Sequence, residues 1–183
     1  MELPKVNYYF KPEKEIEKGK SYSVSELLMA MIAESDNNAG NLLHLFIGED
    51  KAVKVFKDLG LPMPEPADFM NVREYSRFYK ELFDGFYLSR NSSEQALSLL
   101  KKTSFKKGLA AVLPDDMPIA HKFGELYGRN GKPNQLHDCG IVYYPGKPYL
   151  ICVMAKGDDF EKLAEVIQSI SLIAYQQLIL EKQ

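Results

Sequence analysis

Three β-rich runs crowded into residues 119–156, followed by one long amphipathic stretch, constrain the fold of this chain more than any other feature. Ile119 to Glu125, His137 to Tyr144 and Tyr149 to Lys156 are dense in β-branched and aromatic residues, with turn formers between them. They predict three consecutive antiparallel strands. Asp158 then stands where a helix cap belongs. Beyond it Phe160, Leu163, Ile167, Ile170, Ala174 and Leu178 recur every three or four residues, which gives a helix one apolar face to lay on the sheet.

The preceding residues read as helices and loops. Val6 to Phe10 is a short strand-like piece. Ser23-Val-Ser-Glu26 has the form of a capping box and opens a helix with Leu27, Leu28, Met31 and Ile32 on one face. Ser35-Asp36-Asn37-Asn38 interrupts it with residues that prefer caps and turns. A second helix follows, with Leu42, Leu43, Leu45 and Phe46 expected inward and Gly48 at its end. Ala52 to Leu59 is a third, stopped by Gly60. After the proline-rich stretch Leu61–Pro66, Asn71-Val-Arg-Glu74 starts another helix, with Tyr75, Phe78, Leu82 and Phe83 apolar. Ser93 to Lys101 is one more, and Leu109–Leu113 leads into the strands. The whole reads as α+β: a helical region, a three-stranded antiparallel meander and a C-terminal helix. It is expected to form one unit over residues 1–183, with a helical part at 22–115 and the sheet plus last helix at 118–181.

Composition excludes several classes. The chain of 183 residues carries a formal net charge of −2 and is 45% hydrophobic, enough to fill a core. Its lysines are interleaved with acids, so no basic stripe for nucleic acid is expected. No apolar run is read as long enough to span a membrane, and Met1-Glu-Leu-Pro-Lys5 has no apolar segment of a signal peptide. His44, His121 and His137 lack metal-ligand spacing, so neither metal nor cofactor is expected. The two cysteines fall on facing strands. With Tyr144 set opposite Tyr149, Cys139 faces Met154 and Cys152 faces Ile141. The thiols are then diagonal neighbours and are read as free and half-buried.

Two short motifs carry the chemistry. Ser35-Asp36-Asn37 lies at the helix break, and His121-Lys122-Phe123-Gly124-Glu125 lies on the first strand of the meander. Either alone is weak: Ser35 and Asn37 could simply cap a helix, and Lys122 could be a surface lysine. Together, in this order, they resemble two active-site motifs of the class A β-lactamases and related penicillin-recognising serine hydrolases. Tyr22 to Ala39, Leu136 to Pro145 and Pro148 to Gly157 resemble the family's motif helix and last two strands, and the likeness spans residues 20–180. It implies a truncated β-lactamase/transpeptidase-like fold. It further implies acyl transfer from β-lactam or peptidoglycan-type amides to a serine, and an extracytoplasmic location. By the same resemblance Ser35 relays a proton to the leaving nitrogen and Lys122 orients Ser35 and attracts a substrate carboxylate. Asn37 would bind the substrate's amide chain, and the Glu125 backbone N–H would donate to the oxyanion.

The sequence also departs from the family. The nucleophile's Ser-x-x-Lys should lie well upstream of Ser35, and none occurs there. Ser98-Leu-Leu-Lys101 and Ser104-Phe-Lys-Lys107 match the pattern but lie between the other motifs, so both are rejected. The isolated chain is therefore expected to be inactive. Phe123 replaces the family's usual Thr or Ser and cannot donate a hydroxyl to a substrate carboxylate. By strand alternation Phe123 and Glu125 share a face, putting an aromatic ring and an acid beside Gly124 and the site. Glu65 stands six residues before Asn71, the wrong spacing for the deacylating base of class A enzymes. The rival readings are a DD-peptidase-like enzyme and a non-catalytic module that binds cell-wall peptide or protein. The apolar edge Tyr149–Met154 is an opening for a homodimer, unless Val6–Phe10 covers it.

Overall fold

Helix α1 (Val24–Ala33) begins where local chemistry says it must. The Ser23 hydroxyl accepts the Glu26 N–H, and the Glu26 carboxylate accepts the Ser23 N–H. Helix α2 (Asn37–Ile47) follows after three residues, and α3 (Glu49–Asp58) after Gly48. Helix α4 (Val72–Asp84) carries a second reciprocal box between Asn71 and Glu74, and α5 (Arg90–Leu100) is capped by Ser89. A 3-10 turn, Leu109–Val112, leads into strands β1 (Ile119–Leu126), β2 (Asn134–Val142) and β3 (Tyr149–Gly157), and α6 (Phe160–Leu180) ends the fold. The computed structural model describes residues 6–63, 70–128 and 131–180. Glu65 and the second half of the proline-rich stretch lie outside the described residues.

The sheet is a meander in the order β1-β2-β3, antiparallel throughout, so the chain is α+β as its pattern predicts. Its two faces carry two cores. On one face α6 lays Phe160, Leu163, Ala164 and Ile167 over Ile119, Phe123, Leu136, Val142, Ile151 and Val153. On the other, Tyr79 of α4 and Leu97 and Leu100 of α5 pack on Ala120, Cys139 and Ile141. At the centre of the first face His121 and Asp138 are fully buried, Nδ1 lying 2.9 Å from Oδ1. Asp138 also accepts the Leu109 N–H at 2.9 Å, which ties the 3-10 turn to the sheet.

Several expectations are corrected. Cys139 stands directly opposite Cys152, with Cα atoms 4.0 Å apart, and the two form a disulfide rather than free thiols. The register differs because Tyr144-Pro145-Gly146-Lys147 closes the turn, with the Lys147 N–H donating to the Tyr144 carbonyl at 3.0 Å and Gly146 at φ 78°. Pairing therefore starts at Val142 and Tyr149, two residues further out. Of the four apolar residues expected inward in α2 only Leu43 is buried; Leu45 and Phe46 are exposed, Phe46 by 77%. In α4 the buried residue is Tyr79, while Phe83 is exposed, and Ile170 of α6 is likewise turned outward. Asp159 rather than Asp158 caps α6, accepting the Glu161 N–H at 2.9 Å. By length and composition α6 could cross a membrane, so a run of that length does occur; its inner face serves the core. Residues 6–10 form no strand and do not cover β3. Tyr9 and Phe10 bond to Glu125 of β1, at the other side of the sheet.

Candidate active site

The break between α1 and α2 sets up the site. Ser35 has φ 59°, the one left-handed non-glycine among the described residues. Such a backbone costs about 1–3 kcal/mol and persists only when neighbours enforce it. Asp36 supplies that enforcement. Its buried carboxylate accepts the N–H groups of Asn38 (2.8 Å), Ala39 (3.0 Å) and Ile16 (2.6 Å), and its own N–H donates to Ala30 at 3.0 Å. Asp36 is thus the cap of α2. Ser35 is left to point its hydroxyl elsewhere, and it points at Lys122.

Lys122 comes from the middle of β1, 87 residues away in sequence. Its Nζ donates to Ser35 Oγ and, at 2.9 Å, to the Phe123 carbonyl. Burial pulls its pKa down to about 8, against the opposing fields of Asp138 and Glu125. At neutral pH about a tenth of the population then carries a neutral amine. Tyr8, Met31, Asn37, Gly40 and Tyr75 complete a cavity of about 240 Å³ around this pair.

The remaining residues singled out by the sequence also border this cavity, each in a different way. Asn37 is exposed at the rim, and its N–H donates to the Tyr8 hydroxyl at 3.1 Å. Gly124 lets β1 pass the His137 ring, since a Cβ there would come within 2.3 Å of His137 Cε1. That ring stands edge-on to Tyr75 at 5.1 Å. Burial, reinforced by Lys122 and opposed by Asp138, pulls its pKa down to about 4, so it is neutral at pH 7. Phe123 lines the cavity, but its ring is stacked on Phe105 at 3.9 Å in the core beneath α6. The Glu125 carboxylate accepts the N–H groups of Tyr9 (2.6 Å) and Phe10 (3.0 Å), and burial raises its pKa. It therefore anchors the N-terminal segment.

The two rejected serines lie elsewhere. The Ser104 hydroxyl donates to the Ala33 carbonyl at 3.2 Å, and Lys107 pairs with Glu161 at 3.1 Å. Ser98 borders a separate cavity between α4 and α5, where Lys101 Nζ lies 3.8 Å from the Tyr143 ring centroid. Of the histidines, His44 pairs with Glu49 at 2.7 Å, and no cluster able to hold a metal occurs among the described residues.

Sequence reasoning missed Asp36, Tyr8, Tyr75 and His137 as parts of the site. Asp36 had a readable signal, a capping residue followed by a helix. Tyr8 had none, because its contact reaches across 29 residues of loop and helix α1.

Chemically, the cavity holds a hydroxyl on a partly neutral amine, an amide side chain at the rim, and the first turn of a helix. That set can move a proton to or from a group bound at Ser35. The sequence model of a Beta-lactamase enzyme family matches residues 10–178. Among solved structures, PBP-A is similar with 26% identity and a TM-score of 0.74, over 92% of this chain and 65% of that one. A PBP-A mutant in an acyl-enzyme complex with penicillin G is similar with 26% identity and a TM-score of 0.73, over 92% of this chain and 65% of that one. A representative class A β-lactamase from Bacteroides cellulosilyticus shares 26% identity with a TM-score of 0.75, over 85% of this chain and 64% of that one. No match is found among curated proteins. The chain thus spans just under two thirds of the length of these relatives, and, with the family model matched over most of its residues, it belongs to the β-lactamase enzyme family.

Proposed function

We propose that the cavity at Ser35 and Lys122 is the proton-transfer half of a serine-hydrolase site that takes β-lactam or peptidoglycan-type amides. The carrying observation is the direct hydrogen bond between the two side chains, made across 87 residues inside a cavity. In this reading Ser35 passes a proton to the leaving nitrogen, and Lys122 supplies that proton and attracts the substrate carboxylate. Asn37 holds the amide chain of the substrate, and the Glu125 N–H faces the oxyanion. Gly124 keeps the β1 backbone close enough to meet a ligand. The family's match and the penicillin-bound relative support the substrate class.

Phe123 favours a second reading. Its ring is committed to the core and offers no hydroxyl to a carboxylate, which suits a module that binds such amides or cell-wall peptides without turnover, or a slow DD-peptidase-like enzyme. The Cys139–Cys152 disulfide supports an extracytoplasmic location, since such bonds persist in oxidising compartments. The outer edge of β3, unpaired among the described residues, leaves room for a second copy, and light scattering that finds a clean monomer would remove that idea.

Amide NMR of the chain titrated with benzylpenicillin tests the substrate reading. Saturable shifts at Asn37, Gly124 and Glu125 are expected, weakened about tenfold by Asn37→Ala, which removes one side-chain amide contact. Unmoved resonances at millimolar ligand would rule the reading out.

A further inference from the structure

A carboxylate buried at the centre of a sheet needs a reason, because a buried charge without a countercharge is costly. Asp138 is 0% exposed, and so is His121. The backbone is cleared around both. A Cβ at Gly108 would lie 2.3 Å from Asp138 Oδ2, and one at Gly140 would lie 2.4 Å from His121 Cβ. The carboxylate accepts the Leu109 N–H at 2.9 Å, and its two oxygens stand 2.9 and 3.1 Å from His121 Nδ1. His121 Nε2 is buried and has no hydrogen-bond partner among the described residues. A charged ring, or the other tautomer, would strand an N–H at that position. A neutral ring that gives its Nδ1–H to Asp138 strands only a lone pair, so the pair keeps one net negative charge.

The positive charge that answers it lies through the sheet. Asp138 is opposite Phe123 in the β1–β2 register, so Lys122 is one residue along β1 and on the other face, in the wall of the cavity. Strand backbone and packed side chains separate the two, a medium that screens charge weakly. Thr103 steadies the strand beside them: its hydroxyl donates to the His121 carbonyl at 2.6 Å. We propose that Asp138 is the buried counter-charge that keeps an ammonium at Lys122 to receive the substrate carboxylate, with neutral His121 as the donor that orients it. Neither side chain touches the substrate; both are positioning residues that act through Lys122. The inference rests on the β-lactam reading of the cavity and deepens it by naming what sets the charge of its cation.

The charge of Asp138 reaches the titratable groups around the cavity floor. It favours the protonated forms of Lys122 and His137 and opposes ionisation of Tyr75 and Tyr79. At Lys122 it is the larger of the two fields that oppose burial, and Glu125 supplies the other. The Glu125 carboxylate is already engaged by the Tyr9 and Phe10 N–H groups. Asp138 is therefore the stronger support for the ammonium, although it lies on the far side of the sheet.

The groups facing Lys122 set the pH dependence. They are Glu125 on its own strand, His137 and Asp138 on β2, Tyr75 and Tyr79 on α4, Asp36 before α2, and Tyr8 from the N-terminal segment. His137 and the tyrosines stay neutral between pH 6 and 9, so Lys122 governs the profile there. With its pKa at about 8, half of the Lys122 side chains are charged at pH 8 and nearly all at pH 6.

Carbon-13 NMR at Lys122 Cε in the 183-residue chain, without ligand, reads the charge directly. Asp138→Asn keeps the shape and one acceptor oxygen, and it is expected to lower the proton affinity of Lys122 about tenfold. His121→Gln keeps an N–H donor and no charge, so the Lys122 titration should stay within about twofold. Leu109→Ala disturbs the same layer without altering charge and should lower the melting temperature while leaving that titration in place. Benzylpenicillin binding to Asp138→Asn should be about fivefold weaker than to the unaltered chain at pH 8 and equal to it at pH 6. Should Asp138→Asn fail to fold, nitrogen-15 shifts of the His121 ring in the unaltered chain still decide: the proposal requires a bare Nε2 at pH 7, and a protonated one overturns it. An unmoved Lys122 titration in Asp138→Asn overturns it too. So does an equal fall in Leu109→Ala, which would mark a purely structural role. A tenfold rise with His121→Gln would show that a charged His121 had cancelled Asp138, and would likewise overturn it. A lowered Lys122 titration without penicillin binding at either pH would sink the β-lactam reading alone and leave the counter-charge standing.

Discussion

Replacing Asp36 by alanine should cost this fold more than almost any other single polar change. The carboxylate is 1% exposed and takes three backbone N–H groups: two from the first turn of α2 and one from Ile16, far back in the chain. Loss of the cap costs about 1 kcal/mol, within a range of about 0.5–2. The bond to Ile16 is charge-assisted, and leaving that N–H buried without an acceptor adds about 1.5–3 kcal/mol. The strained Ser35 turn relaxes in compensation, returning about 1 kcal/mol. The net expectation for Asp36→Ala is a loss of about 1.5–3 kcal/mol, a large share of the ~5–15 kcal/mol that holds a domain of ordinary stability. Asp36→Asn keeps one acceptor oxygen for the α2 cap and loses the Ile16 bond, so about half that loss is expected. Urea unfolding followed by circular dichroism reads both. A loss below about 1 kcal/mol for Asp36→Ala would show that water or another group satisfies these donors and would refute the argument that Asp36 enforces the Ser35 turn.

Other perturbations bear on the same cavity. Lys122→Met should raise stability by about 1 kcal/mol while abolishing any chemistry, because it removes a buried charge but also two hydrogen bonds; urea midpoints check it. In the unaltered chain the folded Lys122 loses its proton near pH 8 and the unfolded one near its ordinary value, so stability should rise with pH across that window, and Lys122→Met should flatten the slope. His137 has its folded pKa pulled down to about 4, so the unfolded chain binds its proton first as pH falls. Stability should therefore drop by about 3 kcal/mol between pH 6.5 and 4, read as a falling melting temperature that His137→Asn reduces. Gly124→Ala sets a Cβ against the His137 ring and should cost about 2 kcal/mol and loosen the cavity, checked by melting and by the loss of penicillin-induced amide shifts.

The sheet and its covering helix were legible because their signals are local. β-branched runs, turn residues and a three-to-four repeat gave β1 to β3 and α6 within a few residues at their ends. Both capping boxes, at Ser23 and Asn71, were readable for the same reason. The cysteine register was not, because it depends on whether pairing starts next to the turn or two residues out, and Pro145 and Pro148 flank that choice. The outward turn of Leu45 and Phe46 was hidden too: an apolar residue on a helix says nothing of which neighbour is present to cover it. At the site, Ser35 and Lys122 were found by motif and order. Their coupling to Tyr8, Tyr75 and His137 depends on contacts between distant segments, which no local pattern encodes.

The account rests on Ser35 and Lys122 forming one proton-transfer unit in a cavity that receives an amide with a carboxylate. The titration of the Lys122 side chain, followed by carbon-13 NMR at Cε with and without benzylpenicillin, tests this most directly. The account predicts a pKa of about 8 in the unliganded chain, displaced upward when the penicillin carboxylate enters. Titration at the ordinary lysine value, unmoved by ligand, would contradict it.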